Sequence, residues 1–184
     1  MRLFVAINLP DTVKEPLHEL KTEIPTARWV KIKNMHLTLR FIGEVEDDSV
    51  DALKSQLETI DAPAFELTLS GIGQFPKKQT NPPRILWIGF EQEPALNQLQ
   101  KQIETQIREL GYEANNKLFR PHLTLARLKS NKLLPEATQF LEQHHDLKLN
   151  TFSVGEFHLY SSKLSSSGPE YTREATYPLN EEVE

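Results

Sequence analysis

Apolar residues fall along this chain in two rhythms. Short runs rich in β-branched, leucine or aromatic residues, bounded by Gly, Pro, Asn or charge, predict strands at 3–9, 35–42, 65–72, 84–90, 122–128, 152–160 and 171–179. Apolar residues spaced three and four apart predict helices at 11–21, 48–60, 93–110 and 135–143. Asp11 reads as an N-cap, and Pro94 fits a first helical turn. The clearest stripe is Leu96, Leu99, Ile103, Ile107 and Leu110, with Gly111 as the stop. Pro76, Pro82 and Pro83 mark a midpoint linker at 75–83. The serine-rich stretch 161–168 reads as a loop long enough to move.

The order of elements repeats. Strand, helix, strand, helix, strand occurs at 3–72 and again at 84–160, with a closing strand at 171–179. The second strand of each unit carries one tetrapeptide, His36-Leu37-Thr38-Leu39 and His122-Leu123-Thr124-Leu125. A duplicated unit of this kind builds two pseudo-symmetric lobes, neither able to bury its apolar face alone. The expected organisation is one two-lobed domain over 1–184, with equivalent residues meeting at the axis.

Composition narrows the function. Hydrophobic residues are 38% and charged residues 26%, as in ordinary globular proteins. No run of about eighteen apolar residues exists to span a membrane. The opening residues 1–10 read as a first strand, not a signal peptide. The absence of cysteine removes disulfides, thiolate nucleophiles and cysteine zinc sites, and it suits a cytoplasmic location. A net charge of -5 argues against a surface that binds polyanions everywhere. Locally the balance reverses. Residues 26–40 carry Arg28, Lys31, Lys33 and Arg40 without an acid, and 114–132 carry Lys117, Arg120, Arg127, Lys129 and Lys132 without one. Acids gather at 44–61 and at Glu181, Glu182 and Glu184.

Those basic segments hold the two tetrapeptides. Alternate strand residues share a face, so His36 and Thr38 point one way, with Arg40, and His122 and Thr124 do the same. Two imidazoles and two hydroxyls around one cavity are equipment for attack on a phosphodiester. One neutral imidazole takes a proton from water and the other, charged, gives one to the leaving oxygen. Threonine hydroxyls and an arginine hold the non-bridging oxygens. One His-x-Thr carries no weight, and a duplication also preserves packing residues; the match confined to the two tetrapeptides favours chemistry.

The motifs Arg2-Leu3-Phe4-Val5-Ala6-Ile7, Met35-His36-Leu37-Thr38-Leu39-Arg40-Phe41-Ile42-Gly43-Glu44 and Phe119-Arg120-Pro121-His122-Leu123-Thr124-Leu125-Ala126-Arg127 resemble the two-histidine phosphoesterase superfamily. Within it, they resemble the RNA 2′,3′-cyclic phosphodiesterase branch, also called 2′-5′ RNA ligase. Phe157-His158-Leu159-Tyr160-Ser161-Ser162 and Tyr171 resemble its closing strands. The resemblance implies an α+β fold with an antiparallel sheet in each lobe, helices on the outer faces and a central cleft. It implies hydrolysis of a terminal 2′,3′-cyclic phosphate to a 2′-phosphate with no metal or other cofactor, His36 leaning to proton donor and His122 to acceptor. It makes Arg127 a phosphate contact, although strict alternation turns that residue away from His122 unless the strand bends. Arg40 stays beside it, with Thr38 and Thr124. Phe4 and Tyr160 are weaker candidates for stacking on a nucleobase. The implied partners are RNA ends bearing a cyclic phosphate, tRNA fragments among them, met by a monomer. A ligase running the same chemistry backwards and a non-catalytic RNA-end binder are the competing readings.

Other features carry less. His18 reads as exposed, His144 and His145 as a helix end, and His158 as a strand surface residue. None has metal-ligand spacing. Gly71-Ile72-Gly73 lacks the lysine of a phosphate loop, and Trp29 and Trp87 read as core or cleft-edge packing.

Overall fold

The computed structural model describes residues 1–181, so Glu182 and Glu184 lie outside the described residues. In chain order the elements are β1 (Arg2–Asn8), α1 (Asp11–Glu19), β2 (Arg28–Trp29), β3 (His36–Glu44), α2 (Val50–Glu58), β4 (Phe65–Leu67) and β5 (Leu69–Phe75). They continue with β6 (Ile85–Phe90), α3 (Pro94–Glu109), β7 (His122–Arg127), α4 (Pro135–His144), β8 (Phe152–Val154), β9 (Glu156–Ser165) and β10 (Gly168–Pro178). Short 3-10 turns at Ile32–Asn34 and Asp47–Ser49 precede β3 and α2.

The α+β expectation holds. One antiparallel sheet has the order β10-β9-β1-β3 and the other β2-β7-β6-β5, while β4 and β8 pair separately. The sheets do not coincide with the sequence halves. β5 follows β4 in the first repeat yet hydrogen-bonds to β6, and β9 of the second repeat hydrogen-bonds to β1. Each repeat thus supplies its last strand to the other's sheet, and the β4–β8 pair ties the two exchanged segments together. One buried cluster runs through both sheets and the four helices, from Val5, Leu37 and Leu159 to Leu86, Leu123 and Ile103.

Local chemistry explains the helix ends. In α3 the Glu93 carboxylate accepts from the Ala95 amide at 3.0 Å, Pro94 occupies the first turn, and Gly111 at φ +90 stops the helix. Its buried stripe is Leu96, Leu99, Ile103 and Ile107; Leu110 sits at the cap, largely outside it. In α1 the cap is Pro10, and Asp11 falls inside the first turn, where its charge suits the helix dipole. The expected 161–168 loop is mostly strand: β9 runs to Ser165 and β10 starts at Gly168, whose φ of +110 closes a two-residue turn. Lys31 Nζ donates to Ser167 O at 2.9 Å and Asn34 Nδ2 to Pro169 O at 3.0 Å, which fastens the hairpin tip to the segment just before His36. Among the described residues no helix is long and apolar enough to cross a membrane.

Candidate active site

β3 and β7 approach within 8 Å, which brings the two His-Leu-Thr-Leu strands side by side across the sheets. In both strands burial alternates through the tetrapeptide and then breaks, because Leu39 and Arg40 are both buried, as are Leu125 and Ala126. The register gives the cause. Arg40 faces Val5 and Thr38 faces Ala6; Ala126 faces Leu86 and Thr124 faces Trp87, so Leu39 and Leu125 are each skipped as a bulge. A bulge inserts one residue and reverses the parity beyond it. Arg127 therefore joins the face of His122 and Thr124. Arg40 leaves the face of His36 and Thr38, and Phe41 takes the place that corresponds to Arg127.

Arg40 is accordingly turned away from the face that carries the two histidines and threonines. It is 8% exposed, its guanidinium donating to Glu104 and to the backbone carbonyls of Phe41 and Glu113. Unbroken alternation places it at the site; a bulge is a property of the paired strand, which a single sequence does not display.

The His122 imidazole is held from behind. His122 Nδ1 lies 2.7 Å from Arg120 O; a carbonyl only accepts, so Nδ1 carries the proton and Nε2 is left for proton transfer. The backbone of Asn34, two residues before His36, favours the charged form of that imidazole. Burial dominates the acidity of His36 and lowers its pKa to about 4, with the Asn34 bond opposing and the Lys14 charge assisting. In the free protein at neutral pH, His36 is uncharged.

Aromatic rings surround His36. Phe4 lies 4.9 Å from it, Tyr160 6.1 Å and Tyr171 5.0 Å edge-on, measured between ring centroids. Phe4 is 2% exposed and touches Tyr160, Tyr171 and Phe41 as well, which leaves it no open face for a nucleobase. Its role is to wall the histidine. Tyr160 is only half-buried and keeps an accessible part. His122 meets Phe75 edge-on at 5.1 Å. Beside Phe75, Trp87 lies flat over Gly73, where a Cβ would come within 2.3 Å of the indole, so only glycine fits. Trp87 also lines an open cavity of about 600 Å³ with Gly89, Phe90, Phe119 and Arg120.

The positive charge extends beyond the expected arginine. Arg28 on β2 is the cross-strand partner of Arg127, and both are exposed. Arg127 and Arg2 both bear on the Tyr171 hydroxyl, while burial raises its pKa overall. Tyr171 therefore links the two sheets, touching His36 in one and sensing Arg127 in the other. Arg28 sat within the basic run of the sequence; no sequence signal marked Phe41, Asn34 or Lys14 for a place beside the histidines.

His158 is buried, not the surface residue that its strand position suggests. It is 1% exposed, with Nδ1 3.0 Å from Thr176 Oγ1 and Nε2 3.4 Å from Glu156. Its pKa falls to about 4, chiefly through burial, then through Arg173, against the pull of Glu156. The unfolded chain binds that proton near 6.5, so this group's contribution to stability is complete above 6.5 and lost as pH drops to about 4. Denaturant melts at pH 7 and pH 4.5 should show a smaller acid loss in His158→Gln, by up to about 3 kcal/mol. An unchanged acid loss would remove His158 as its source.

Two antiparallel sheets that set two equivalent His-x-Thr strands side by side define a phosphoesterase of the two-histidine class. The chain belongs to the 2′-5′ RNA ligase superfamily, which matches residues 9–165. It is 30% identical over 174 residues to the RNA 2′,3′-cyclic phosphodiesterase of Archaeoglobus fulgidus, covering 93% of this chain and 96% of that one. It is 34% identical over 175 residues to the protein of that name from Escherichia coli, covering 93% and 92%. Among solved structures it resembles the Thermus thermophilus protein TT0787, with a TM-score of 0.80, 28% identity and full coverage of both chains. It also resembles Escherichia coli LigT complexed with 3′-AMP, with a TM-score of 0.79, 31% identity and 97% coverage of each chain.

Proposed function

We propose that this protein is an RNA 2′,3′-cyclic phosphodiesterase that opens the terminal ring to a 2′-phosphate with two histidines and no metal ion. The observation that carries the reading is the pair of equivalent His-x-Thr strands, one from each sheet, that the fold sets side by side. Relatives of that name over nearly the whole chain support the substrate class.

In this mechanism water attacks phosphorus while His122 Nε2 removes its proton. The bond from phosphorus to the 3′ oxygen breaks, and His36 delivers a proton to that oxygen, leaving a 3′-hydroxyl and a 2′-phosphate. Acid and base stand on opposite sides of the in-line path, one from each sheet. Thr38, Thr124 and Arg127 hold the non-bridging oxygens as charge accumulates. His36 must be charged to serve as donor, and the arriving phosphate anion supplies the field that raises its pKa. Tyr160 offers the remaining aromatic surface for a base.

An oligoribonucleotide ending in a 2′,3′-cyclic phosphate, incubated in EDTA, is expected to yield only the 2′-phosphate. Loss of turnover in EDTA would overturn the metal-free mechanism. A 3′-phosphate product would overturn the assignment of the leaving oxygen.

A further inference from the structure

Next to His36 lies a pair of cations that the proposed reaction does not use. Lys14 is 5% exposed, and its ammonium donates to Asn8 Oδ1 at 2.8 Å. Asn8 is the cross-strand partner of His36, so this charge sits one strand away from the imidazole. Arg173 lies opposite Tyr160 in the β9–β10 ladder, its guanidinium carbon 6.0 Å from the centre of that ring. Its charge reaches both Lys14 and His158. Among the described residues, no carboxylate comes within 4.0 Å of either cation. Burial chiefly weakens the hold of Lys14 on its proton; the Asp11 charge opposes this, and the Arg173 charge adds to it by a smaller amount. A nearly buried ammonium with one neutral partner is unfavourable by itself and is compensated by an anion brought into the site.

We propose that Lys14 and Arg173 form a second phosphate subsite that binds the internucleotide phosphodiester immediately 5′ of the reacting end. The inference rests on the reading of the reaction given above. In that substrate the reacting phosphate closes the 3′ terminus, so its only neighbouring phosphate lies on the 5′ side. Tyr160, between Phe4 and Arg173 in the same cross-strand row, places an aromatic face between the two phosphate positions. The subsite makes an oligonucleotide a better ligand than a mononucleotide, by a contact remote from the bond that breaks.

Binding of ApA bearing a 3′-terminal 2′-phosphate and of adenosine 2′-phosphate, measured by calorimetry, tests this directly. Wild type is expected to prefer the dinucleotide by about tenfold or more, the range for a hydrogen bond to a charged group. Arg173→Ala should erase most of that preference and leave mononucleotide binding within about twofold, and Lys14→Met should weaken the dinucleotide more than the mononucleotide. The salt dependence of dinucleotide binding should become shallower by about 0.7 in log–log slope per cation removed. Arg173 is exposed, so its variant carries the test even where Lys14→Met disturbs folding. Equal wild-type affinity for both ligands, or equal losses for both in Arg173→Ala, would overturn the subsite. Hydrolysis of adenosine 2′,3′-cyclic phosphate is followed in parallel; absent turnover with an intact binding preference would sink the proposed reaction and leave the subsite standing.

Discussion

Replacing either His36 or His122 by alanine is expected to lower kcat on a 2′,3′-cyclic phosphate end by at least about a hundredfold, the lower range for losing one general acid or base. Both losses should be of similar size, because each imidazole is positioned alike and each proton transfer belongs to one transition state. The double variant should be little worse than the singles, since removing one partner already disables the pair. The acid side of the wild-type kcat/KM profile carries a second expectation. His36 takes up its proton only near pH 4 in the free protein, so the acid limb of the profile should carry a bend near 4. An acid limb with no bend near 4 would contradict the buried environment of His36. Activity that survives either alanine substitution would sink the paired mechanism and leave an RNA-end binder as the better reading.

The second large effect concerns folding. Glu104→Ala leaves the Arg40 guanidinium buried against two carbonyls with no counter-charge, and it frees the Asn115 amide that Glu104 accepts at 2.8 Å. Removing one member of a buried pair costs about 3 kcal/mol or more. The expected result is a lower denaturant midpoint at unchanged slope, with kcat/KM altered less than about threefold. Glu104→Gln, which keeps an acceptor, should recover part of the loss. A Glu104→Ala protein of normal stability would remove this pair as a fastening of α3 to β3. Normal stability with a large fall in kcat/KM would return Arg40 to phosphate binding.

Much of this protein was legible in one dimension. The stripe of α3 and its stop at Gly111 follow from apolar spacing and from the left-handed backbone that glycine adopts there. The duplicated His-Leu-Thr-Leu strands were visible as identical text, and the alternation within each tetrapeptide correctly put histidine and threonine on the opposite side from buried leucines. Those features are local: they depend on residues within a few positions of one another, where backbone geometry alone decides direction.

What lay beyond a single tetrapeptide depended on the partner strand. The bulges at Leu39 and Leu125 arise from how β3 lies against β1 and β7 against β6; they brought Arg127 to the histidine face and sent Arg40 into a buried ion pair. Phe4 reads in sequence as either core or a weak stacking candidate, and packing among four rings makes it core; His158 reads as surface although the β9–β10 hairpin and Thr176 enclose it. The exchange of β5 and β9 between the sheets was equally hidden, because each strand has the same composition whichever neighbour it pairs with. Local sterics and apolar period suffice for the helices, most strands and the two histidine strands, but not for β2 or for the β9–β10 hairpin that replaces the expected loop. Which side chains reach the cleft depends on strand pairing across the fold, because register and bulges are set by distant partners, and one skipped residue reverses every face beyond it.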